Sequence, residues 1–232
     1  MVINGFQKMT LLDYPEHVAC TVFTAGCNFR CPFCHNALLV TDIRPEDSMH
    51  PDEVLAYLAK RTGILEGVAI TGGEPLLQPD LADFIKKIRS LGYPVKLDTN
   101  GSDPAKLARV VEQGLVDYVA MDVKNRPEKY AETIGIQNYD PAPVMESIDF
   151  LMTTDKLPAY EFRTTVVREF HTVDDIIALS QRIAGAKKYF LQNFVDSGTL
   201  IGSGMHAVTP GTLREMAAAA REFCSSADVR GI

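Results

Sequence analysis

The chain has no surplus of positive charge, no long apolar run, no even set of cysteines and no low-complexity tract, and each absence removes a class of function. Its 232 residues carry 23 Lys and Arg against 30 Asp and Glu, a formal net charge of −7. Phosphate binding leaves a basic footprint, so a nucleic-acid groove is not expected as the main surface. No apolar stretch reaches the ~18 residues that a membrane-spanning helix needs. Residues 1–17 are too polar for a signal peptide, so a cytoplasmic protein without a membrane partner is expected. Five cysteines, an odd number, do not make a secreted disulfide framework; in a reducing compartment they point to metal or redox chemistry. Without a Ser/Gly-rich linker or an internal repeat to divide it, the chain 1–232 is expected to form a single domain.

What is present is an alternation of short apolar segments with stretches of helical period. Strands are predicted near 18–24, 67–71, 94–98, 117–123, 160–167 and 187–194, and helices near 51–62, 79–91, 104–114, 141–153, 172–184 and 210–224. Pro51-Asp52-Glu53, Pro79-Asp80 and Asp103-Pro104 place proline and acid in first turns, where a missing N–H costs nothing and negative charge meets the helix dipole. Gly63, Gly92 and Gly114 fall just past helix ends. Near-continuous apolar strands alternating with helices imply a parallel sheet covered by helices. Six units are too few for a closed eight-stranded barrel, so the expected fold is α/β, a partial (β/α)6 barrel of the TIM type with parallel strands.

The unusual residues fall at the carboxyl ends of four consecutive predicted strands. Cys27, Cys31 and Cys34 follow the first, Gly72-Gly73-Glu74-Pro75 the second, Asp98-Thr99-Asn100-Gly101 ends the third, and Asp122 with Lys124 ends the fourth. In parallel α/β architectures that rim is where ligands bind. A CxxxCxxC loop wraps three thiolates around one side of a metal centre, and Pro32 stiffens it. Iron–sulfur cubanes normally take four cysteines, so three leave one iron open. Zinc is the alternative, with His35 or His17 as a fourth ligand, although structural zinc favours paired short spacings and no second pair exists. Plainer readings stand beside these: a strand-to-helix turn at 72–75, a tight-turn pair at Asn100-Gly101, an Asp122–Lys124 ion pair, an Arg163–Glu161 pair, and a loop cap at His35-Asn36. Cys20 and Cys224 read as small core residues. No acid–base pair or Ser/Cys–His arrangement argues for hydrolysis.

CxxxCxxC with Phe33 before its last cysteine, followed one strand later by Gly-Gly-Glu-Pro, resembles the radical S-adenosylmethionine superfamily. Cys34-His35-Asn36, Asp98-Thr99-Asn100-Gly101 and Asp122-Val123-Lys124 are similar to the activating enzymes of glycyl radical enzymes. The opening Thr10-Leu11-Leu12-Asp13-Tyr14-Pro15 and the overall length resemble the longer type of activator of anaerobic ribonucleoside-triphosphate reductase. The likeness runs to about residue 195. It implies a 4Fe–4S cluster on Cys27, Cys31 and Cys34, its open iron chelated by the amino and carboxylate groups of S-adenosylmethionine. It also implies Phe33 near the adenine, the backbone of Gly72 and Gly73 near the amino group with Glu74 beside it, and a monovalent cation at Asp98, Thr99 and Asp122. Lys124 then neutralises the carboxylate, and Arg163 lies in the barrel interior near the substrate.

The reaction so implied takes a hydrogen from a glycine α-carbon of a partner glycyl radical enzyme, with a reduced flavodoxin or ferredoxin type donor. Two alternatives stay open: a radical enzyme acting on a pyruvate formate-lyase type partner or a small molecule, and a non-catalytic metal or redox module. Against the pyruvate formate-lyase type, His35-Asn36 runs into Ala37-Leu38-Leu39 rather than Asp-Thr-Trp. Against activators with extra clusters, no cysteine lies between Cys34 and Cys224. The segment 196–204, with three glycines, is placed either to gate access to the site or as an ordinary mobile loop.

Overall fold

All six predicted strands are strands in a computed structural model, which describes residues 1–230, and two more flank them. The elements are β1 (Ile3–Thr10), β2 (Ala19–Thr24), α1 (Ala37–Thr41), α2 (Pro51–Ala59), β3 (Gly67–Gly72), α3 (Leu81–Ser90), β4 (Val95–Thr99), α4 (Pro104–Glu112), β5 (Tyr118–Asp122), α5 (Pro127–Thr133), α6 (Ala142–Thr153), β6 (Ala159–Val166), α7 (Val173–Arg182), β7 (Tyr189–Asn193), α8 (Pro210–Arg221) and β8 (Ala227–Arg230). They form one sheet in the order of the sequence. Every pairing from β2 to β8 is parallel. β1 runs antiparallel to β2, with irregularities after Ile3 and Gln7.

The two extra strands sit at the ends of the sheet and, among the described residues, do not pair with each other, so the barrel stays open between β1 and β8. β1 carries Asn4-Gly5 and alternates poorly, because only its ends are buried. β8 has four residues, below the length at which a pattern shows.

Alternation along the strands divides the two faces. Val95, Leu97, Val119, Met121, Tyr160, Phe162 and Val166 pack outward into the main core. Their neighbours Lys96, Asp98, Tyr118, Ala120, Asp122, Glu161 and Arg163 point the other way, into the barrel, as the period of two requires. The strands are therefore not the near-continuous apolar runs expected. Tyr14, from the loop after β1, packs with Ala19, Tyr118 and Ala120 as a separate small cluster. Helix starts follow their signals. Pro51, Pro104 and Pro210 open α2, α4 and α8, and Thr172 and Asp175 cap α7 reciprocally. Among the described residues no helix is long and apolar enough to cross a membrane.

Candidate active site

The loop between β2 and α1 carries the three cysteines, and it is fixed by its backbone. Gly26 N–H donates to Leu39 O at 2.7 Å, Cys34 N–H to Cys31 O at 3.0 Å, and Glu74 N–H to Gly26 O at 2.8 Å. Gly73 permits that last approach: a Cβ there would lie 1.9 Å from Gly26 O. The Asn36 side-chain amide donates to Gly72 O at 3.0 Å, joining the cysteine loop to the glycine turn a second time.

Cys27, Cys31 and Cys34, all free thiols, line one cavity of about 210 Å³ with Phe33, Gly72, Gly73, Asp98, Thr99, Asp122, Lys124 and Arg163. Cys27 Sγ accepts from Phe29 N–H at 3.3 Å and from the Asn100 amide at 3.8 Å. Burial pushes the Cys31 thiol up to about 12 and raises Cys27 and Cys34 in the same direction. Lys124 works the other way on Cys31 and favours the thiolate, the form that a metal centre takes. Among the described residues no three His, Cys, Asp or Glu side chains close around a single ion. Three thiols spread around one cavity, with donors aimed at sulfur, fit a multi-iron cluster better than one zinc ion.

A chain of alternating charge faces the cysteines. Lys96 pairs with Asp98; Arg163 bridges Asp98 at 3.2 Å and Asp122 at 2.9 Å; Lys124 meets Asp122 at 2.9 Å. Burial opposes ionisation of both aspartates, but Arg163 with Lys96 or Lys124 overcomes it and holds both carboxyls below their usual range. Burial likewise works against charge on Lys124, and Asp122 outweighs it, raising the ammonium above its ordinary value. Three side-chain cations already face two carboxylates, and Thr99 Oγ1 is engaged with Glu74 at 2.8 Å. The positive charge is supplied by the chain itself, so these side chains do not fit an added monovalent cation.

Of the residues expected to hold the cluster, S-adenosylmethionine or a cation, the structure brings all but Glu74 to the cavity wall. Glu74 is 1% exposed and turns inward, accepting from Thr99 Oγ1, Asn100 N–H at 2.6 Å and Leu76 N–H at 3.0 Å. Burial pushes its carboxyl up to about 7 against these bonds. It ties the glycine turn to the end of β4. Arg163 does not pair with Glu161, which instead takes a two-pronged bond from Arg230, both contacts 2.9 Å, and one from Tyr118 at 2.7 Å. Sequence reasoning missed Lys96 as a part of the site. Lys96 was marked by the alternation in Val95-Lys96-Leu97-Asp98, which sets it beside Asp98. His35 stacks on Phe194, their rings 5.6 Å apart.

A parallel barrel whose strand ends gather three thiols and a charged, glycine-walled cavity defines a metal-cluster enzyme of α/β type. The chain belongs to the Radical SAM superfamily, whose family model matches residues 21–155, and whose members use a 4Fe–4S cluster and S-adenosylmethionine. A protein of Methanocaldococcus jannaschii, provisionally named a glycyl-radical enzyme activating enzyme, is 28% identical over 197 residues, covering 83% of this chain and 80% of its own. The pyruvate formate-lyase-activating enzyme of Listeria monocytogenes is 30% identical over 161 residues, 64% of this chain and 62% of that one. The GTP 3',8-cyclase of Helicobacter pylori is 36% identical over 114 residues, 47% of this chain and 33% of that one. Among solved structures, Streptococcus suis SuiB bound to S-adenosylmethionine superposes with a TM-score of 0.71 at 12% identity, over 90% of this chain and 49% of that one. The chain thus spans about half the length of that structure.

Proposed function

We propose that the protein is an activase that reductively cleaves S-adenosylmethionine and removes a hydrogen from a glycine α-carbon of a partner glycyl radical enzyme, the partner being anaerobic ribonucleoside-triphosphate reductase. The observation that carries the reading is the meeting of three free thiols with two buried cationic side chains, Lys124 and Arg163, in one cavity. Such a wall suits a zwitterionic ligand whose carboxylate needs a cationic neighbour. Lys124 and Arg163 receive that carboxylate. The backbone of Gly72 and Gly73 lies beside the amino group, held there by close packing on Thr24 and Gly26 that leaves no room for a Cβ, and Phe33 flanks the adenine. When bound, the cluster on Cys27, Cys31 and Cys34 supplies the electron for cleavage; the protein's part is to position, charge-match and exclude water.

A protein substrate needs a second way in. A larger cavity of about 580 Å³ adjoins the first and shares Asp98, Arg163 and Gln192 with it. Its wall is built from both sides of the open seam, Leu11, Leu12 and Asp13 after β1 and Arg230 of β8. Leu11 and Leu12 are 71% and 90% exposed, apolar side chains placed where a partner's loop enters. The choice of ribonucleotide reductase rests on the opening Thr10-Leu11-Leu12-Asp13-Tyr14-Pro15. The likeness to the Listeria activator favours a pyruvate formate-lyase type partner as the second reading.

The test is an anaerobic mixture of reconstituted protein, a reduced flavodoxin or ferredoxin, S-adenosylmethionine and each candidate partner, read by electron paramagnetic resonance. A glycyl radical doublet with ribonucleotide reductase alone is the expected result. A doublet only with pyruvate formate-lyase transfers the assignment to the second reading, and 5′-deoxyadenosine formation with no radical on either partner overturns the activase reading.

A further inference from the structure

The crossing from β7 to α8 lies over the cysteine loop and is held at three levels. At its base, Asn193 and Val208 bond reciprocally, Asn193 Nδ2 donating to Val208 O at 3.0 Å and Val208 N–H to Asn193 Oδ1 at 3.2 Å. At its shoulder, His206 N–H donates to Glu169 Oε2 at 2.9 Å, the His206 ring meets Glu169 Oε1 at 2.8 Å, and Arg168 N–H donates to His206 O at 3.0 Å. At its tip, Gly202 N–H donates to Pro32 O at 2.8 Å, and Pro32 stands between Cys31 and Cys34.

The three glycines of this segment differ in kind. Gly198 and Gly204 have φ of +79° and +75° with open space where a Cβ would go, so they serve turns. Gly202 has no positive φ, and a Cβ on it would lie 2.7 Å from Pro32 Cβ and 3.2 Å from Pro32 Cα. Only the close approach to the cysteine loop requires glycine at 202.

We propose that the segment 194–208 is a strap that clamps the cysteine loop through Gly202 and Pro32, and that Gly202 is a positioning residue for the metal centre. The strap neither lines the 210 Å³ cavity at Gly202 nor contributes a ligand. It acts on the loop that carries all three thiols. The inference rests on the reading that these cysteines hold a cluster, and is independent of which partner is activated.

The experiment compares wild type, Gly202→Ala, His206→Ala and Ser203→Ala, each reconstituted anaerobically, with release of iron to an excess of ferrous chelator followed by absorbance. Hydrogen exchange of the peptide covering 27–36 is measured on the cluster-free proteins. Gly202→Ala is expected to release iron about tenfold faster, within what overpacking a filled contact costs, with faster exchange at 27–36 before any cluster is present. His206→Ala loosens only the exposed shoulder and threatens folding least; about two- to threefold faster release is expected, the size of losing one surface pair. Ser203→Ala should match wild type. Unchanged release and exchange in both Gly202→Ala and His206→Ala would overturn the strap. If Gly202→Ala fails to fold, an unchanged His206→Ala overturns it alone. A chain that takes up no iron in any variant overturns the underlying cluster reading instead.

Discussion

Two ion clusters share the barrel interior, and they are built to opposite rules. Near the rim, Lys96, Asp98, Arg163, Asp122 and Lys124 form a chain with three cations for two carboxylates. Deeper along the open seam, Glu161 is matched by Arg230 alone, its remaining capacity filled by Tyr118, while the Arg230 guanidinium lies 3.5 Å from the centre of the Phe190 ring. The deep pair is balanced and satisfied, so it stabilises without inviting a ligand. The rim chain opens two of its cations, Lys124 and Arg163, onto the cavity that holds three thiols, where they are free to receive the anionic group of a ligand.

The largest effects that would break this contrast come from the thiols. Cys27→Ala, Cys31→Ala or Cys34→Ala should each cut retained iron to below about a tenth, since a cubane on two sulfurs loses its grip, as iron and sulfide analysis will show. Next come the rim charges. Lys124→Ala should weaken S-adenosylmethionine binding by about 10- to 100-fold, the loss expected from a buried charge partner, measured by equilibrium dialysis. Arg230→Ala should leave that affinity within about twofold yet lower unfolding free energy by ~3 kcal/mol, because Glu161 is left buried and unpaired. Equal loss of affinity in both variants would erase the distinction between the clusters.

Smaller effects sharpen it. Glu74→Gln should cost ~1–3 kcal/mol, because an amide N–H₂ then faces a backbone or hydroxyl donor, readable in chemical denaturation. Asp175 supplies a pH signature from α7, which it ties to α5 through Lys129 at 2.6 Å. Burial works against its ionisation, but Lys129 and Thr172 outweigh it and hold the carboxyl at about 2. A depressed carboxyl stabilises the fold above its ordinary range and loses that contribution as pH falls through the folded value. Asp175→Asn should therefore be less stable by about 1–2 kcal/mol at neutral pH, with the deficit shrinking below pH ~4 and gone near pH ~2.

Much of this arrangement was legible in the sequence, and the parts that were not have physical reasons. The six inner strands and their helices were visible because apolar period and proline or acidic starts agreed. β1 was hidden by Asn4-Gly5 and its half-exposed face, and α5, seven residues long, offers two turns and too little period to read. Four strand ends announced the site through residue type alone. The partner of Arg163 did not follow from its own strand. The register sets Asp122 directly beside Arg163 on the neighbouring strand, a contact that period-two reasoning within β6 cannot see. The resemblance sets Glu74 beside the amino group of the ligand, yet its donors Thr99 and Asn100 come from the end of β4, 25 and 26 residues on, and they turn it inward. Gly202 looked like its neighbouring glycines until Pro32 was seen against it.

The most direct test of the account is to incubate the reduced, reconstituted protein anaerobically with S-adenosylmethionine and quantify the products by mass spectrometry. Methionine and 5′-deoxyadenosine in equal amounts, absent from the Cys31→Ala protein, is the predicted result. S-adenosylmethionine recovered intact from a preparation holding about four irons per chain, the content of a cubane, would contradict it.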